Sequence, residues 1–256
     1  MTAFELYETE QFGFANKQLG AHLGRTIMAE DLGKVMASCG VRATLEDYRK
    51  AVIDENVLLK KSSGARDESF YRLKQLYSLD SSQKIFSVLR ELWAYTTSGH
   101  NLLSLLCAIA RDPILRCTTH LVLETSEGTM LMAKDFERVV SENFPGRLSS
   151  KTLASASRNL ASSWTQSGHL LDAKRKSRKQ VTPDSTVVAY AIFLAYLSGD
   201  RGNALFDSVW LKILDTSNHQ LHNLAQQASK KGWLEYRHSG QVTEITFRHF
   251  MEKLHE

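Results

Sequence analysis

Only three prolines interrupt the 256 residues, at positions 113, 145 and 183. Average usage would supply roughly 5% proline. Proline removes a backbone donor and stops helices, and loop-rich β folds use it heavily for turns, so a chain this poor in breakers points to a mainly helical fold. Hydrophobic periodicity agrees. Apolar residues recur at helical spacing over 16–23, 26–38, 44–57, 65–77, 82–97 and 100–110, which predicts a helical N-terminal bundle over 1–111. Thr44 is a suitable N-cap for the third of these helices. The break Lys61-Ser62-Ser63-Gly64 between the third and fourth gives the outline of a helix-turn-helix or of a plain αα-hairpin.

After Pro113 the pattern changes. Helices are predicted near Leu115–Leu123, from Met130 to Phe144, and from Ser149-Ser150 to Gln166, with Gly168 as a stop. His169-Leu170-Leu171 and Gln180-Val181-Thr182 read as hairpin arms around a tip at 174–179. Helices followed by a hairpin are the order of a winged helix, here over 112–183. The order recurs over 184–256, where helices end near Leu197, Leu214 and Lys231 and Ser239-Gly240 turns a second hairpin. The two segments are not alike in sequence, so the repetition is of architecture. The expected fold class is mainly α, a helical N-terminal bundle followed by winged-helix-like units with short β-hairpins.

The formal charge of +4 conceals an asymmetry. Between Arg147 and Gln180 lie eight cations, Arg147, Lys151, Arg158, Lys174, Arg175, Lys176, Arg178 and Lys179, against the single acid Asp172. That segment carries +7 and the rest of the chain −3. A concentrated basic segment can neutralise phosphates and release their condensed counterions. In the preceding helix Leu153, Ala156, Leu160 and Trp164 form a core stripe, leaving Lys151, Thr152, Ser155, Arg158, Asn159, Ser162 and Ser163 for the other faces. Short hydroxyls admit close approach to a groove, and Arg158 and Asn159 are types that pair with guanine or adenine edges. A solvated Ser-rich face, or a basic patch for an acidic protein, is the plainer alternative. A second cluster of net +3 comprises Lys60, Lys61, Arg66, Arg72 and Lys74 with Asp67 and Glu68, and a third comprises Lys230, Lys231, Arg237 and His238.

Catalytic signatures are missing. The sequence has no GxxxxGK[ST], GxSxG, HExxH or paired CxxC motif. His219 and His222 form the one close histidine pair, without a carboxylate at ligand spacing. Pro183-Asp184 lacks the acidic-x-Lys triplet of a metal nuclease, and the stretch Ser162–His169 holds nucleophile types without an activating arrangement. A non-enzymatic protein without metal or cofactor is expected. Cys39, Cys107 and Cys117 are odd in number and two sit in apolar contexts, which reads as reduced thiols in a cytoplasmic protein. The N-terminus lacks signal-peptide features, and the longest apolar run, Val187–Leu197, falls short of the roughly 18 residues of a membrane span.

The segment Glu55-Asn56-Val57-Leu58-Leu59-Lys60-Lys61-Ser62-Ser63-Gly64-Ala65-Arg66, followed by Tyr71-Arg72-Leu73-Lys74-Gln75-Leu76-Tyr77, resembles the asparagine-leucine, basic, small-residue, arginine pattern of the BrxA family, accessory proteins of BREX phage-defence systems. The likeness extends upstream through Met28-Ala29-Glu30 and more loosely to Leu148–Thr152 and Ser167–Leu170. The resemblance implies winged-helix-like elements, DNA binding, and service beside other subunits of a defence system, with Arg66 and Arg72 as candidate contacts. The chain departs from the family in its C-terminal length and its basic hairpin. The partner expected is therefore double-stranded DNA, gripped at its backbone by Lys174, Arg175, Lys176, Arg178 and Lys179 and met in the groove by Lys151, Thr152, Ser155, Arg158 and Asn159. Lys60, Lys61, Arg66 and Arg72 are secondary candidates. The rival readings are a protein-interaction scaffold of a defence complex and an RNA-binding protein.

Overall fold

A computed structural model describes residues 9–16, 20–171, 176–240 and 242–252. The architecture is mainly helical. Helices α1 (Ala29–Ser38), α2 (Leu45–Ile53), α3 (Ser63–Tyr77), α4 (Lys84–Trp93) and α5 (His100–Arg111) make the N-terminal bundle. There follow α6 (Pro113–Cys117), α7 (Thr119–Glu124), α8 (Ala133–Asn143), α9 (Ser150–Gln166) and a hairpin of β1 (Leu170–Leu171) and β2 (Ser177–Arg178). The remainder comprises α10 (Ser185–Leu197), α11 (Ala204–Asp207), α12 (Val209–Lys212), α13 (Asn218–Lys230), the hairpin β3 (Glu235–Ser239) and β4 (Val242–Thr246), and α14 (Arg248–Glu252).

Two helices organise the rest. In α5 every residue from Leu102 to Ala110 is buried, and in α10 every residue except Tyr196 is buried. A helix that is apolar all round must be wrapped on all sides. Accordingly α5 touches α1, α3, α4, α6, α9 and α10, while α10 touches α4, α5, α11, α12 and α13. One continuous apolar cluster, from Phe14 to Phe250, therefore draws on all three segments, 1–111, 112–183 and 184–256. No helix among the described residues is long and apolar enough to cross a membrane.

Local chemistry sets the helix ends. Thr44 and Asp47 form a reciprocal capping box on α2, as the sequence predicts for Thr44. Asp184 caps α10 through the Thr186 and Val187 amides, and its second oxygen accepts from Thr96 Oγ1 at 2.5 Å, so this acid has a structural post. Ser208 splits the expected helix 204–214 into α11 and α12, because its extended backbone caps the second piece. Gly168, at φ +91°, stops α9 in the left-handed region as expected.

Several predicted boundaries need correction. The helix predicted over 16–23 is, in its described part, only a 3-10 turn at Ala21–Leu23, with 17–19 outside the described residues. Its backbone is held by Asp112: His22 N–H donates to Asp112 Oδ2 at 3.1 Å, and a Cβ on Gly20 would lie 1.8 Å from Asp112 Oδ1. The helix predicted from 26 starts at Ala29, since Ile27 N–H donates to Ser163 Oγ at 3.0 Å and Met28 is left-handed at φ +50°. The helix predicted from Met130 starts at Ala133, because 128–131 pairs with the hairpin instead. There Gly128 N–H donates to Arg178 O, Arg178 N–H to Thr129 O and Leu131 N–H to Lys176 O, at 2.8–2.9 Å. Met130 thereby forms an isolated antiparallel bridge with Ser177, outside the two-stranded hairpin. The hairpin is also shorter than expected, pairing Leu170 with Arg178 and Leu171 with Ser177.

Residues 20–29 act as a strap along α9. His22 Nδ1 lies 2.7 Å from Asp112 Oδ2 and its Nε2 2.8 Å from Ser163 Oγ. Asn159 Nδ2 donates to His22 O at 3.1 Å, and Ala29 N–H donates to Gln166 Oε1 at 3.3 Å. Ser163→Ala would orphan the Ile27 amide and leave the His22 ring without its Nε2 partner. We expect it to lower the unfolding free energy by about 2 kcal/mol in denaturant titration, and an unchanged midpoint would refute the strap.

A second buried group anchors the hairpin. His169 is fully buried with Nε2 2.8 Å from Ile213 O, and burial drives its imidazole down to about 4. The unfolded chain takes up this proton near pH 6.5 and the folded chain refuses it until about 4. Stability thus falls as pH drops through that window, by on the order of 3 kcal/mol. For Asp112, burial raises the carboxyl but its interactions with His22 and the Leu115 amide outweigh this and hold it below the ordinary value. Its contribution is lost only at lower pH, below about 3.9. Unfolding free energy measured from pH 7 to 4.5 should therefore fall more gently in His169→Gln than in the parent, and parallel curves would contradict the assignment.

Candidate nucleic-acid interface

The structure divides the faces of α9 sharply. Ala156, Leu160 and Trp164 are buried against the core, with Leu153 half-buried beside them, which is the predicted stripe. Trp164 Nε1 donates to Thr118 Oγ1 at 2.9 Å. A second face, Asn159, Ser163 and Gln166, lies under the strap. The third face carries Lys151, Ser155, Arg158 and Ser162, successive at helical spacing, with Lys151 and Arg158 exposed and the serines half-buried. Neither cation has an ion-pair partner among the described residues, and α9 contains no carboxylate.

Thr152 is half-buried and its hydroxyl is 2.9 Å from that of the N-cap Ser149. The hairpin meets the same helix: Lys176 Nζ donates to Thr165 Oγ1 at 2.9 Å. Lys179 is exposed just beyond β2, and Arg147 just before α9. Lys174 and Arg175 lie outside the described residues. Arg147, Lys151, Arg158 and Lys179 are thus solvent-facing cations borne by α9 and its flanking segments.

Two of the predicted contacts are corrected. Arg178 is 4% exposed and faces inward from β2. Its Nε donates to Val122 O at 2.8 Å, its Nη1 to Lys179 O, and its Nη2 pairs with Asp215 at 2.5 Å. The second hairpin strand begins at Ser177 instead of Gln180, three residues closer to the tip than expected, so Arg178 alternates into the core rather than projecting from the loop. Asn159 spends its amide on the strap carbonyl and cannot reach a base.

The other candidates lie around the α2–α3 turn and on α3, and their polar heads are mostly taken up within the protein. Lys60 pairs with Asp31 at 2.9 Å, Arg66 Nη1 donates to Ile53 O at 2.7 Å, and Arg72 binds Glu68 at 2.7 Å and Gln75 at 2.9 Å. Lys60 thus ties the turn to α1, Arg66 ties α3 to the end of α2, and Arg72 pairs along α3, while Lys61 stays exposed. Asn56 explains the turn's shape: at φ +52° it accepts from Lys60 N–H at 2.8 Å and donates to Lys60 O at 3.1 Å.

One constellation escaped sequence reasoning. Ser163, His22 and Asp112 stand in the order of a serine nucleophile, its base and an orienting acid. The residues lie 141 and 90 positions apart, beyond any local pattern. Ser163 and His22 are fully buried and Asp112 is 1% exposed. Ser163 Oγ also accepts Ile27 N–H and donates to Asn159 O at 2.8 Å, so the chain of bonds is a pin with no face open to a substrate. Among the described residues no group of three His, Cys, Asp or Glu side chains is placed to hold a metal ion. Cys107 and Cys117 are buried free thiols, pushed up by burial to about 11 and about 12, while Cys39 is half-buried.

No protein-family model matches the chain, and no curated protein is significantly similar to it.

The two kinds of cation separate in a pair of measurements. Arg178→Ala would strand Asp215 beside the core and cost about 3 kcal/mol of stability. Lys151→Ala with Arg158→Ala should leave stability within about 0.5 kcal/mol while weakening any polyanion bound at α9. An Arg178→Ala protein of parental stability would reverse the assignment.

Proposed function

We propose that the protein is a non-enzymatic DNA-binding accessory of a bacterial anti-phage defence system, holding duplex backbone through the first winged unit. The observation that carries this reading is the acid-free, solvent-facing side of α9, with Lys151 and Arg158 unpaired and Arg147 and Lys179 exposed at its flanks. In a winged helix this helix enters a groove while the hairpin follows the adjacent backbone. Short serines between the cations permit close approach, and the strap takes up the amides of the neighbouring face of α9. The resemblance of Asn56–Arg66 and Tyr71–Tyr77 to the BrxA pattern supports a place among phage-defence accessories. Within that pattern Arg66 ties α3 to the end of α2 and Arg72 pairs along α3.

A second reading, a scaffold subunit of such a complex, is favoured by one feature. Met130, Met132 and Leu171 are 56%, 62% and 47% exposed, and Met130 and Leu171 both stand across from Ser177. An apolar patch on the outside of the hairpin suits a neighbouring protein better than phosphate.

A duplex-DNA titration tests the first reading. If Arg147, Lys151, Arg158, Lys174, Arg175 and Lys179 neutralise about six phosphates, log affinity falls against log salt with a slope of about −5. Alanine at Lys151, Arg158 and Lys179 should reduce that slope to about −3. Salt-independent binding, or a slope unmoved by these substitutions, would overturn it.

A further inference from the structure

The second winged unit carries a different chemistry on its exposed helix. Leu221, Leu224, Ala225 and Ala228 bury one side of α13. The outward residues are Asn218, His219, Gln220, Asn223, Gln226, Gln227 and Lys230, all exposed. No carboxylate occurs from Thr216 to Leu234. A groove of about 570 Å³ runs between this helix and β3, lined by His219, His222, Asn223 and Gln226 on one side and by Tyr236, Arg237 and His238 on the other. Its walls are set by packing: Phe206 stacks on the His222 ring at 3.9 Å, and His222 Nδ1 is 2.8 Å from Tyr236 Oη. Gln226 has no hydrogen-bond partner among the described residues, and Asn223 makes only a 3.4 Å contact to His219.

Free primary amides on a rigid helix are recognition groups of a specific kind. Each offers a donor and an acceptor in one plane, the pair that matches adenine N7 and N6 in the major groove. Asn223 and Gln226 are three residues apart, which sets them on one face about 5 Å from each other, a spacing suited to neighbouring base pairs. In α9, by contrast, both primary amides, Asn159 and Gln166, bond to the strap, and its open face offers cations and short hydroxyls. We propose that the units divide the work: the first holds phosphate, and α13 reads adenine-containing base pairs in duplex DNA through Asn223 and Gln226, with Arg237 of the second hairpin alongside the backbone. This rests on the reading of the protein as DNA-binding. Lys230 and Arg237, both exposed, supply the positive field for that approach, although Arg237 also lies 3.7 Å from Glu244.

The test uses the full chain and two duplex probes of equal length, one of alternating A·T and one of alternating G·C pairs, with a structured RNA as competitor. The parent should prefer the A·T probe by about tenfold or more, the scale of one bidentate pair. Asn223→Ala with Gln226→Ala, both at exposed positions, should bring the ratio near one and leave G·C affinity within twofold. Replacing adenine by 7-deazaadenine should do the same for the parent. Lys151→Ala with Arg158→Ala should weaken both probes equally. A parental ratio of one, or a preference that survives the amide substitutions, overturns base reading while backbone binding stands. Failure to bind either duplex overturns both, and tighter binding to the RNA assigns α13 to a different ligand.

Discussion

A single buried carboxylate decides which part of α9 is open. Asp112 Oδ1 caps α6 by accepting from the Ile114 and Leu115 amides, and Oδ2 takes both the ring and the backbone of His22. One side chain therefore joins the turn between α5 and α6, the strap at 20–29 and, through His22 and Ser163, the middle of α9. An unpaired charge at this depth would be prohibitive; its four partners make the site tolerable and at the same time fix three segments. Because the strap lies over Asn159, Ser163 and Gln166, the exposed cations of α9, Lys151 and Arg158, stand on the face away from it.

Buried cations reinforce the same logic elsewhere. Arg116 spans Ile109 O, Ala110 O and Ala15 O, Arg90 reaches Met36 O and Cys39 O, and Arg111 reaches Gln75 O and Gly13 O. Guanidinium groups suit this task, since their several donors can satisfy carbonyls at helix ends where the ladder runs out. Arg178 does likewise between the first hairpin and Asp215. A count of positive residues consequently overstates the charge available to a ligand, and the +7 of the basic segment includes one cation that serves the core.

Much of the fold was legible. The low proline content, the stripe on α9, the Thr44 cap, the Gly168 stop and the apolar run of α10 are local properties, and local geometry enforces them. The second hairpin was legible for the same reason, with β-prone arms around Ser239-Gly240 pairing in register. What escaped was non-local. Residues 128–131 are extended because the hairpin offers them hydrogen bonds, and residues 20–28 are not an α-helix because Asp112 and Ser163 claim amides of the strap. The boundary of the hairpin tip moved by three residues, which placed Arg178 in a strand with its side chain inward.

The sequence by itself determined that the chain is mainly helical, that its positive charge is concentrated between Arg147 and Gln180, and that two units end in hairpins. These follow from composition and from periods of a few residues. Only the tertiary structure decided which cations face solvent, which amides are free, and that Ser163 and His22 form a sealed pin. Those outcomes depend on partners 37 to 141 positions away, and exposure is a property of the packed chain, which no window of sequence contains.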